Sequence, residues 1–100
     1  MNEALDQLIS RGDRALDTLH GAAEYLAALR VVRRSFDGLV TAEVDSHGAL
    51  VGLELAEDLS RESAERLQTS IVDTAAAATR DALTQREEIL RRMQTSLSET

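Results

Sequence analysis

The chemistry available to this 100-residue sequence is that of arginine, since all eleven of its basic side chains are Arg and none is Lys. A guanidinium offers a planar fork of donors that meets phosphate or carboxylate oxygens two at a time, which an ammonium cannot do. Two groups have usable spacing. Arg30, Arg33 and Arg34 stand at i, i+3 and i+4, one face if the chain is helical there. Arg80, Arg86, Arg91 and Arg92 are spread along the last segment, with Arg80 and Arg91 on one helical face and the other two elsewhere. Both groups suit bidentate contacts with phosphate. Each also has a plainer use. The first group would sit among the orphan carbonyls of a helix C-terminus. The second is interleaved with acids at i,i+4, Glu87 with Arg91 and Glu88 with Arg92, as Glu62 is with Arg66, pairs worth about 0.2–0.5 kcal/mol each.

Nothing else is arranged for catalysis. His20 and His47 have no Cys partner and no His-x-x-x-His spacing, so a partner for Glu24 is the expected role of His20 and a turn residue that of His47, with no metal and no cofactor. No Gly-rich loop opens a helix and no Ser sits in a nucleophile elbow, so an enzyme is not expected. The absence of Cys removes disulfides and thiol chemistry, in keeping with a reducing cytoplasm. No apolar run approaches the ~20 residues of a membrane span, and the start, Met-Asn-Glu-Ala-Leu-Asp, is acidic rather than signal-like.

The elements that must carry the arginines are legible as a single domain over 1–100, with a helix over 1–34, a β-hairpin over 35–59 and a helix over 60–98. In the hairpin Val40, Ala42 and Val44 alternate with Thr41, Glu43 and Asp45, Ser46-His47-Gly48 makes the turn, and Val51, Leu53 and Leu55 share one face of the return strand. In the first helix Leu5, Leu8, Ile9, Leu16, Leu19, Ala23, Leu26 and Leu29 form one stripe, weakened at Gly12 and Gly21. The last helix, with Ser60 as its expected N-cap and Glu62 in its first turn, carries two stripes, one through Leu67, Ile71, Ala78 and Ile89 and one through Val72, Leu83, Leu90 and Leu97. A lone two-stranded ribbon is marginal, and helices this long overrun it. The expected fold is therefore α+β, long helix, antiparallel hairpin with room for a third short strand, long helix. It is completed by a homodimer that shares its sheet and buries Val40, Ala42, Val44, Val51, Leu53, Leu55 and Ile71.

Charge is unevenly distributed. Of the net −7, the segment 35–60 accounts for nearly all, with six acids and no base, while the flanking helices are close to neutral. A phosphate-bearing partner would then have to meet the arginines of the helices away from the acidic hairpin.

The run Gly38-Leu-Val-Thr-Ala-Glu-Val-Asp, the turn at Gly48, the strand Leu50 to Leu55 and the helical pattern Leu67, Ile71, Val72, Ala75, Ala78 together resemble the YbaB/EbfC family of nucleoid-associated proteins. The resemblance implies a cytoplasmic, nucleoid-bound, tweezer-shaped homodimer that binds DNA with little sequence preference. Two departures stand out. Ser35-Phe36-Asp37-Gly38 replaces a Gly-rich approach to the first strand, and Asp81 stands where family members often have Lys. Relatives of this family also include proteins associated with type VII secretion. That branch implies an alternative, an adaptor or chaperone whose Leu83, Leu90, Met93 and Leu97 receive a helical protein partner.

Overall fold

A computed structural model describes residues 2–99. The order is α1 (Glu3–Ala28), β1 (Arg30–Arg34), β2 (Val40–Asp45), β3 (Leu50–Leu55) and α2 (Ala64–Ser98). The three strands form one antiparallel sheet in the order β1-β2-β3. The third strand is β1, and it takes residues that periodicity assigned to the first helix. Asn2 caps α1 by accepting from the Leu5 N–H, and Glu3 and Asp6 meet the positive end of its dipole. The helix stops at Ala28 because Leu29 turns extended and Val31 and Val32, both β-branched, pair with Val44 and Glu43 of β2. Arg30 secures the exit by donating to the carbonyls of Leu29 and Ala27 at 2.7 and 3.3 Å.

α2 also begins later than expected. Ser60 is held by Asp58, and Ser63 is the N-cap, its hydroxyl accepting from the Arg66 N–H with Glu65 in the first turn. The helix lies across β1 and β2. Ala78 and Ala82 press against Val31, Ala42 and Val44, small side chains letting helix and sheet approach closely, and all five are buried together with Val40. The sheet's other face, with Arg30, Val32 and Arg34 opposite Asp45, Glu43 and Thr41, is left to water.

Two turns are built locally. Asp37 accepts from the Ser35 hydroxyl, the Leu39 N–H and the Ser70 hydroxyl, and these bonds hold its carboxyl below the usual range. Asp45 does the same for the β2–β3 turn through the Ala49 and His47 N–H groups. That turn rests on α2, where the Thr79 hydroxyl donates to the Gly48 carbonyl at 2.8 Å. Gly48 has φ +80°, and a Cβ there would lie 2.7 Å from Thr79 Cγ2. Strained backbone and collision act together, so Gly48→Ala is expected to cost roughly 1–3 kcal/mol and lower Tm by several degrees. Gly52→Ala is the control, since its Cβ would meet Glu43 Cβ at an ordinary 3.5 Å. Equal melting of the two variants would refute the account of the turn.

The chain is long and thin, 77 × 18 × 15 Å with a radius of gyration of 20.6 Å, against about 13 Å for a compact domain of this length. α1 returns antiparallel to α2, with Thr18, Ala22 and Tyr25 beside Ile89, Met93 and Ser96. Its first three turns therefore run roughly 20 Å past the end of α2. No residue of α1 is buried.

Candidate nucleic-acid interface

Two contacts mark the two sides of α2 on the sheet: Asp81 reaches Arg33 of β1, and Thr79 reaches Gly48 at the other side. They divide the helix into flanks. Arg66, Arg80 and Arg91 recur at near-whole numbers of turns and share the flank toward β1. Val72, Leu83, Leu90 and Leu97 share the flank toward β3. The first flank adjoins β1, whose Arg30, Arg33 and Arg34 make it the most arginine-rich strand of the sheet. The arginine row and the exposed apolar row are thus neighbouring faces about 100° apart, Arg80 standing only three residues from Leu83.

The structure spreads the seven expected phosphate ligands over different surroundings. Arg30, Arg33 and Arg34 do not form a helical face, because β1 is a strand: Arg33 points with Val31 to the α2 side, and Arg30 and Arg34 to the open face. Arg33 Nη1 donates to Asp81 Oδ2 at 2.6 Å. Arg91 and Arg92 both turn to Glu88, at 3.0 and 3.4 Å, so the expected pairing of Arg91 with Glu87 gives way to an i,i+3 contact. Glu62 and Arg66 pair as expected, at 3.7 Å. Arg34, Arg80 and Arg86 make no ion pair among the described residues, and Arg86 lies apart, on the apolar flank. All the pairs are wet and exchangeable, each worth at most about 1 kcal/mol, so phosphate can compete for their guanidiniums.

The residues expected at an interface between copies divide into two sets. Val40, Ala42 and Val44 are covered by their own α2 and form the protomer's core. Leu53 and Leu55 lie opposite Ala42 and Val40, hence on the same sheet face, yet stay 41% and 43% exposed because α2 does not extend over β3. A bulge between Glu43 and Val44 sets Val44 opposite Leu50, so Leu50 joins this apolar row and Val51 is displaced from it. Ile71 is half-buried on α2, and Val72 and Leu83, on the flank toward β3, are exposed.

Sequence reasoning missed the Arg33–Asp81 bridge and the seat of Gly48 on Thr79. Both join residues far apart in the chain, and no local spacing announces either. Phe36 stands fully exposed in the β1–β2 turn. Among the described residues no cluster of His, Cys, Asp or Glu could hold a metal ion, and no helix is long and apolar enough to cross a membrane.

The sequence profile of the YbaB/EbfC DNA-binding family matches residues 1–97. No curated protein matches the chain.

Proposed function

The chain belongs to the YbaB/EbfC DNA-binding family, and from that premise we propose that it acts as a homodimer in the cytoplasmic nucleoid, holding duplex DNA by its phosphates without reading sequence. Segregation is the observation that carries the reading. A dimer of formal charge −14, twice −7, is repelled by DNA at long range unless its cations are gathered on one side. Here Arg66, Arg80 and Arg91 share one face of α2 on the side of β1, which carries Arg33 toward α2 and Arg30 and Arg34 on its open face, while the exposed leucines occupy a neighbouring face of the helix. The apolar trough over β3 is where the second copy packs, which leaves the arginine flank outward.

The test is a titration against random-sequence duplex at roughly 50 mM and 200 mM salt. Arg80→Glu is expected to weaken binding about equally for unrelated sequences and to flatten the plot of log K against log[salt] by about 0.9 for each phosphate that is no longer neutralised. No binding by the wild-type protein at the lower salt would sink the reading. The exposed Val72 and Leu83, 58% and 44% accessible, favour the adaptor as the second reading. Capture of a helical protein that is abolished by Leu90→Asp, by a chain that ignores DNA, would establish it instead.

A further inference from the structure

We infer that Asp81 is a positioning residue that sets the affinity of this surface for duplex DNA by holding the Arg33 guanidinium away from phosphate; the inference rests on the DNA-binding reading above. The two side chains come from elements 48 residues apart, an edge strand and the helix lying over it, and meet through one charge-assisted hydrogen bond at 2.6 Å. They meet in water. Side-chain exposures of 47% and 39% leave the pair solvated, so the bond contributes little to the fold. The fold does not depend on it for packing either, since the helix is seated by the buried Ala78, Ala82, Val31, Ala42 and Val44.

What the pair does alter is the arginine flank. Arg33 is followed on the strand by Arg34 and Asp81 is preceded on the helix by Arg80, and neither of these two arginines has a carboxylate partner among the described residues. Arg80 therefore adjoins the junction of β1 and α2, where one carboxylate, Asp81, occupies the Arg33 guanidinium, while Arg34 follows on the open face of the strand. A phosphate approaching the junction is repelled by Asp81 and must displace it from Arg33 before that cation counts toward binding. Affinity is thereby held below what the arginine content allows.

The test is a double-mutant cycle of Asp81→Asn and Arg33→Ala, with Asp73→Asn as a variant of equal charge change on the same helix, each titrated against random-sequence duplex at several salt concentrations. Asp81→Asn is expected to raise affinity about tenfold near 50 mM salt and to steepen the salt slope by about 0.9, the value of one added phosphate contact. Asp73→Asn should gain less and leave the slope alone, and Asp81→Asn should gain no more than Asp73→Asn once Arg33 is Ala. Helix content by circular dichroism is expected to be unchanged throughout. An equal gain from Asp73→Asn, or a full gain without Arg33, would overturn the inference while leaving DNA binding intact, since Asp81 would then act only through net charge. Absence of binding by both the wild type and Asp81→Asn would overturn inference and DNA reading together. Binding by Asp81→Asn alone would support the inference in its strongest form.

Discussion

Val44→Asp is expected to leave no folded protomer at all. Val44 is fully inaccessible and touches the group that includes Val31, Ala42, Ala78 and Ala82, the small core on which α2 rests. Putting a carboxyl there costs several kcal/mol whether it stays charged or takes up a proton, because no donor faces the site to pair with it. Domains of this size have only about 5–15 kcal/mol to lose, and among the described residues the buried apolar core here is six side chains. Far-UV circular dichroism of the variant should show the loss of much of the helix, since α1 and α2 are both anchored through the sheet. Wild-type helix content with an unchanged urea midpoint would mean that this face of β2 is not the core.

How far this core was readable from sequence follows from how local its causes are. The alternation of Val40, Ala42 and Val44 is a property of six consecutive residues, and the strand appears where it points. Gly48 marked its turn for a similarly local reason. β1 was hidden because Leu26, Leu29 and Arg30 to Arg34 continue the helical spacing of α1; what decides against helix is the pairing of Val31 with Val44, a contact with a residue thirteen positions on. The start of α2 was misplaced for want of a neighbour too. Ser60 has the right chemistry for a cap, but Asp58 takes its hydroxyl and its N–H first, and Glu62 closes another turn on the Leu59 carbonyl. The arginines were legible as residues and not as a surface. Their fate is decided by whichever carboxylate lies nearest, and for Arg33 that is Asp81 on a different element.

The same limit applies to the proposed second copy, for which the exposed surface of the chain offers a place. The protomer exposes 7374 Å², whereas a compact monomer of 10.9 kDa would expose about 5,600 Å². The excess, about 1,800 Å², is more than twice the ~800 Å² per partner that a standard interface removes. Much of it is apolar and contiguous: Leu50, Leu53 and Leu55 form a floor over β3, and Val72 and Leu83 form the wall on α2. Leu16 and Leu19 on α1 are exposed as well. A twofold-related copy can lay its own wall on this floor, and the surface is then self-complementary, as an isologous interface requires. Sedimentation equilibrium at micromolar concentration is therefore expected to give twice the chain mass. Leu53→Asp and Leu83→Asp are expected to give monomers, each placing a charge in the trough while leaving the Val44 core untouched. Monomers from these two variants that keep much of their helix, beside a Val44→Asp chain that keeps little, would separate the interface from the core. A wild-type chain that stays monomeric and fully helical at that concentration would refute the interface, and would leave the exposed leucines to a different partner.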